Sequence, residues 1–244
     1  MQAEKSIRVL DLGCGNGKTL RAILNRHEFS RRKGNKNARP ILVEYTGIDR
    51  HRFRAVIDEK DRGRVKGTVL TMNLTFWNPE KLKEQLKTAL GGEQVDEIHF
   101  HMPLDTKWAT DPKVLEAIQE SLAPGGRFYH IFQHENPSPF LPELKERGSV
   151  QANQTETFEE NVRRIKQFLE GSGLRLDKYG VKKYTSSSLH FWVTSSKQTQ
   201  EPTPYKDFKM NRLVGESMFT DNEFGYTGAY GNADHFVILR KAKN

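Results

Sequence analysis

The stretch that most constrains this chain is Ile7-Arg8-Val9-Leu10-Asp11-Leu12-Gly13-Cys14-Gly15-Asn16-Gly17-Lys18-Thr19-Leu20. An aliphatic run reads as a buried strand, three glycines follow at alternate positions, and the chain leaves through residues that can start a helix. Glycine is needed where the backbone takes positive φ or where a ligand approaches the main chain closely. Three of them between Gly13 and Gly17 argue for both needs. A helix starting here directs its free N–H groups and the positive end of its dipole back at the turn, which favours an electron-rich, nucleotide-like ligand. Spacing excludes two common phosphate loops. The third glycine of G-x-G-x-x-G is absent counting from Gly13 or from Gly15, and Gly17-Lys18-Thr19 lacks the glycine that a Walker loop places ahead of it.

Downstream, polar and apolar residues alternate in blocks that suit strands and helices taken in turn. A helix from about Gly17 to His27 puts Leu20, Ile23 and Leu24 on one face, and the basic, glycine-bearing run Ser30 to Pro40 separates it from the next apolar block. Ile41 to Ile48 reads as the second strand and ends on Asp49. Arg50 to Asp58 reads as a helix and Gly67 to Leu74 as the third strand, with Phe76 and Trp77 just beyond it. These aromatics are placed to cover a ligand ring or to pack in a core. Asn78-Pro79-Glu80 is a helix start by N-cap, first-turn proline and early acid, with Leu82, Leu86 and Leu90 along one face and Gly91-Gly92 as the stop. Val95 to Met102 reads as the fourth strand, Asp111-Pro112-Lys113 as a further helix start, and Arg127 to Phe132 as the fifth strand. Thr157-Phe158-Glu159-Glu160 is a capping box. Leu174 to Tyr184, Leu189 to Thr194 and His235 to Arg240 are strand candidates.

The set resembles the class I S-adenosylmethionine-dependent methyltransferases. The likeness rests on hydrophobics, Asp11 and Gly13-x-Gly15-x-Gly17, and on Leu122-Ala123-Pro124-Gly125-Gly126 before the fifth strand, and it covers Ile7 to about Phe132. It implies a Rossmann-like α/β fold: a mostly parallel seven-stranded sheet, an antiparallel last strand and helices on both faces. The implied cofactor is S-adenosyl-L-methionine. Its contacts are expected from Asp11, Gly13, Cys14, Gly15, Asn16 and Gly17 in the loop, from Asp49 on the ribose hydroxyls with Arg50 beside it, and from Asn73, Leu74 and His101. Asn73 stands where the family often has an Asp on the adenine amino group. The loop Pro103 to Trp108 after the fourth strand is expected beside the transferred methyl, with His101, Asp105 and His134 as catalytic candidates.

Rival readings of the same residues stay open. In the sheet that the resemblance implies, the fourth and fifth strands are neighbours, which brings His99 or His101 towards His130 and His134, with Asp105 and Glu135 on adjoining loops, but the spacings match no compact ligand motif and no metal is expected. His99 and His101 equally suit a sheet core. Cys14, the only cysteine, excludes an internal disulfide and reads as a small loop residue rather than a nucleophile.

Length and charge bound the rest. With 244 residues the chain suits one domain, with insertions at about 29–40, 134–156 and 195–234. The last insertion, rich in aromatics, reads as a substrate cover or a dimer contact. No apolar run approaches the roughly 18 residues of a membrane helix, and no signal-peptide pattern opens the chain, so a cytoplasmic protein without membrane contacts is expected. Of the net charge of +8, residues 1–66 carry 17 Lys/Arg against 8 Asp/Glu, and residues 67–244 carry 22 against 23. A basic block suits nucleic acid or a solvated surface. RNA is the favoured methyl acceptor, with a faint likeness to tRNA guanine-N7 methyltransferases at Phe100 to Asp105. A small-molecule methyltransferase with a lid and a non-catalytic cofactor-binding protein are the alternatives, and the oligomeric state is open.

Overall fold

The aliphatic run after Ser6 forms β1, Ser6–Leu12, and its Val9, Leu10 and Leu12 are almost wholly shielded. Shielding on both faces marks a strand inside a sheet covered on both sides. The computed structural model describes residues 6–15, 17, 19–21, 23–25, 41–51, 59–101, 112–132, 162–184, 189–195, 209–213, 216–221, 226–229 and 235–243. Two units divide the chain: residues 1–74, 95–99 and 207–231 form the first, and residues 75–94, 100–206 and 232–244 the second.

In the first unit β1 pairs in parallel with β2, Leu42–Asp49, which pairs in parallel with β3, Val65–Thr71. The backbone is helical at 19–21 and 23–25 (α1), and Leu20, Ile23 and Leu24 pack with Ile7, Val9, Val43 and Tyr45 in one cluster. The three-to-four residue spacing read from the sequence therefore finds its partners on β1 and β2. A short 3-10 helix, Glu59–Arg64, precedes β3, and its buried Asp61 is held by Arg64 at 2.9 Å.

In the second unit α2, Pro79–Ala89, starts as its sequence dictates: Asn78 Oδ1 accepts the Lys81 N–H at 3.1 Å, Pro79 fills the first turn, and Leu82 and Leu86 are fully buried. Leu90 caps the helix rather than extending its buried face. α3, Pro112–Ser121, buries Val114, Leu115, Ala117 and Ile118 and packs on α2. β5, Leu122–Phe132, pairs antiparallel with β11, His235–Lys241, which pairs antiparallel with β6, Leu174–Tyr184, and β6 pairs antiparallel with β7, Leu189–Ser195. Residues 162–168 form α4, with Ile165 buried.

With β4, Val95–His101, the main sheet has the strand order β3-β2-β1-β4-β5-β11-β6-β7. This is the Rossmann-like, mostly parallel sheet with an antiparallel last strand, carrying β7 as an eighth strand beyond the seven expected. The last strand pairs with both β5 and β6, a partnership that the sequence leaves open.

Several boundaries differ from the sequence reading. β3 begins at Val65 and ends at Thr71, because β2 ends at Asp49 and Met72 makes one last bond to the Asp49 carbonyl at 2.8 Å. β5 starts at Leu122, so Pro124-Gly125-Gly126 lies within the strand and not before it. Pairing with β11 starts at Arg127, where the alternation begins. The long connection expected over 195–234 contains β8, Lys209–Leu213, β9, Glu216–Asp221, and β10, Tyr226–Ala229, in an antiparallel sheet of order β10-β9-β8. Strands this short hide in polar sequence. The insertions at 29–40 and 134–156, the capping box at Thr157, and the helix expected from Arg50 apart from its first two residues lie outside the described residues.

Leu86 sits at full burial in α2, so Leu86→Ala should lower the unfolding free energy by about 2–5 kcal/mol. Asn78→Ala, which deletes only the cap, should cost about 1 kcal/mol. Urea titrations of both variants read the difference, and equal losses would show that the cap carries more than its single hydrogen bond.

Candidate functional site

β1 runs into the glycine loop with Gly13, Gly15 and Gly17 at φ of +73°, +48° and +83°. These values lie in the left-handed region that side chains rarely adopt, so the alternate glycines are a backbone requirement. Among the described residues a Cβ added at Gly13 or Gly15 would meet nothing within 4 Å. Its N–H groups are held from β2. The Ile48 carbonyl accepts from Gly13 at 2.8 Å and from Cys14 at 3.1 Å.

Asp49, the last residue of β2, closes the loop. Its Oδ2 accepts the Gly15 N–H at 3.0 Å and its Oδ1 accepts the His51 N–H at 2.9 Å. Each carboxylate oxygen retains acceptor capacity after one such bond. Arg50, beside it, is exposed and donates from Nε to His51 Nε2 at 3.0 Å. Asn73 is exposed and Leu74 buried, both just past the end of β3, whose last turn of chain is bonded to Asp49.

Beneath the loop lies Asp11, 1% exposed. Tyr45 donates its hydroxyl to Asp11 Oδ2 at 2.7 Å, and the Thr19 side chain hydrogen-bonds the same carboxyl. Burial pushes the Asp11 pKa up from 3.8 to about 7 despite these bonds, and the nearby Asp49 charge adds to the rise. Burial likewise raises Tyr45 well above the usual phenol range and moves the Cys14 thiol up to about 12. Cys14 is buried and fills the loop. Its Sγ would lie 2.8 Å from a Cβ at Gly47, so residue 47 must be glycine for β2 to pass the loop.

Tyr45, Thr19 and Gly47 are the site residues that sequence reading missed. Register supplies the signal: Val9 faces Tyr45 and Asp11 faces Gly47, so an aromatic two residues before a glycine can reach diagonally to the carboxyl.

The catalytic candidates divide. His101 is the last residue of β4, while its side chain, Asp105, His134 and Asn16 lie outside the described residues. His130 is buried, donates from Nδ1 to the Phe100 carbonyl at 3.0 Å, and stacks on the rings of Phe100 and Phe128. Burial brings its pKa down to about 4, so it is a neutral member of a stack. Phe76, half-buried, extends that stack on Phe100 at 5.1 Å, while Trp77 is 73% exposed. His99 Nε2 and Glu97 Oε2 lie 3.1 Å apart and are buried, and alternation along β4 turns both away from the Phe100 side. The side chain of His101, and His134, the other members of the expected convergence, lie outside the described residues. No group of three metal-ligating side chains occurs among the described residues.

No protein-family model matches the chain, and no curated protein does. Solved structures do match. Many of them are methyltransferases. A SAM-dependent methyltransferase from Methanosarcina mazei is 14% identical, with 99% of this chain and 95% of that one covered at a TM-score of 0.40. A variant of the 16S rRNA (adenine(1408)-N(1))-methyltransferase from Catenulisporales acidiphilia is 16% identical, with 100% and 90% covered at 0.44. The chain also matches a protein named as a hemolysin from Streptococcus thermophilus, at 13% identity and a TM-score of 0.39, and spans 61% of its length. At such values function is read from the loop's own geometry.

The raised Asp11 pKa has a stability consequence. The folded state keeps a proton that the unfolded chain loses, so this contribution is full below about 3.8 and is lost as pH climbs through about 7. Asp11→Asn should therefore flatten the fall of stability between those values, by an amount on the order of 4 kcal/mol from the shift. Denaturant midpoints of both proteins across that range check it, and parallel profiles would contradict it.

Proposed function

We propose that the chain is an S-adenosylmethionine-dependent methyltransferase whose acceptor is RNA. The observation that carries the cofactor assignment is the Asp49 carboxylate, tied by its two oxygens to the Gly15 and His51 N–H groups at the mouth of a left-handed glycine loop. Vicinal ribose hydroxyls are donors of the kind that such a carboxylate accepts at the end of a second strand. The open space at Gly13 and Gly15 fits a ligand lying against the main chain.

When bound, S-adenosylmethionine supplies an electrophilic methyl group on a sulfonium. The chain's task is then to align a nucleophile and, where that nucleophile carries a proton, to remove it. Asp49 fixes the nucleoside end, the loop glycines admit the chain of the ligand, and Asp11 holds the loop from below through Tyr45 and Thr19. Arg50, Asn73 and Leu74 border the same strand ends. The segment from His101 through Asp105, with His134, is assigned the acceptor side and its base.

RNA is favoured as acceptor by the net charge of +8, by the concentration of the excess in residues 1–66, and by the exposed ring of Trp77, a surface on which an unpaired base can stack.

Calorimetric titration with S-adenosylmethionine tests the cofactor. Asp49→Ala removes a charged acceptor, and Gly15→Val forces a β-branched residue to φ near +48°, so each should weaken binding by tenfold or more, about 1.4 kcal/mol. Unchanged affinity in both variants contradicts the assignment. Transfer of labelled methyl groups to total RNA, rather than to protein or metabolites, tests the acceptor. Cofactor binding without any transfer would favour a non-catalytic protein.

A further inference from the structure

Away from the glycine loop, three arginines stand abreast on the second unit's sheet. Arg240 of β11 faces Arg127 of β5 on one side and Arg175 of β6 on the other, in direct register. Directly opposed residues of antiparallel strands project on the same face, and like charges so placed repel. A sheet has no packing reason to align three guanidiniums about 5 Å apart per strand.

One carboxylate engages two of the three. Asp177 lies at the irregularity between Ile238 and Leu239, where β6 carries a residue without a counterpart on β11. The bulge aims its side chain so that Oδ2 accepts Arg240 Nη2 at 2.8 Å and lies 3.4 Å from Arg127 Nε. The charges do not balance. Among the described residues the Arg127 side chain, 43% exposed, has only that single contact, exposed Arg175 has no carboxylate partner, and the buried Arg240 Nε has no hydrogen-bond partner.

Further cations flank the row. Lys241 is tied to the Leu122 carbonyl at 2.7 Å, and the stem of Lys243 crosses Gly125, 3.0 Å from where a Cβ would stand. Glu120, close in sequence to β5, is neutralised by Lys83 at 2.6 Å.

We infer that Arg127, Arg175 and Arg240 form a docking row for the phosphate backbone of RNA, with Asp177 engaging Arg127 and Arg240 and offsetting part of their charge. Guanidinium forks match phosphate oxygens in pairs, and a row of fixed forks follows a strand of successive phosphates without reading its bases. The partner is therefore set by charge and spacing, not by sequence. The inference rests on the reading of RNA as acceptor and adds where its backbone is gripped.

The test is the salt dependence of binding to a single-stranded polyuridylate oligomer by the full chain. Each phosphate contact contributes about 0.7 to the slope of log affinity against log salt. Arg175→Gln and Arg127→Gln should each lower that slope by about 0.7 and weaken binding to a mixed-sequence RNA to the same degree. Asp177→Asn, which frees the two guanidiniums it now engages, should steepen the slope. Affinity for S-adenosylmethionine should stay at the wild-type value in all three, which separates a docking role from a folding defect. Wild-type slopes in all three variants overturn the row while leaving the RNA reading intact. Failure of the wild-type chain to bind RNA overturns both.

Discussion

The site depends on one carboxylate that joins two strands and a loop. Asp49 ends β2, and its oxygens hold the Gly15 N–H of the loop and the His51 N–H of its own strand end. A glycine loop with three left-handed residues has few conformational restraints of its own, since glycine loses more backbone freedom on folding than any other residue. The Ile48 carbonyl and the Asp49 carboxylate supply those restraints from outside the loop. The parallel register of β1 with β2 is what delivers them, because Leu12 lies opposite Ile48 and the loop begins one residue later.

A second carboxyl works from beneath. Asp11 is buried at a cost that its bonds to Tyr45 and Thr19 only partly offset, as its pKa near 7 shows. Carboxyls perturbed by burial in this way cluster at functional sites. Gly47 and Cys14 interlock over the same ground, so β2 is fitted to the loop residue by residue.

Much of this was legible in the sequence, and the limits have physical causes. The loop glycines, the Asn78-Pro79 helix start, the buried face of α1 and the final strand announce themselves through local chemistry, where each residue's preference agrees with its place. Asp49 was legible as a strand-end acid, but its bond to the Gly15 N–H was not. Tyr45 on Asp11 was not, because that contact exists only once the register of two strands is fixed. Pairing partners were hidden for the same reason: β11 sits between β5 and β6, and nothing local in His235 to Lys241 says so. Two of the histidines take sheet positions that residue type alone does not reveal. Residue type suggested a reactive cluster, but the alternation of β4 parts His99 from the Phe100 side, and His130 is neutral within an aromatic stack. The polar strands β8 to β10 lacked the apolar alternation that marks a strand with one buried face.

The central claim is that Asp49 and the glycine loop form one nucleoside-binding unit. A crystal structure of the chain grown with S-adenosylhomocysteine, which binds at the same place without turning over, tests it most directly. The account predicts the ribose hydroxyls within hydrogen-bond distance of the Asp49 carboxylate and the rest of the ligand against the main chain at Gly13 and Gly15. Density for the ligand at any other place, or a ribose turned away from Asp49, would contradict it.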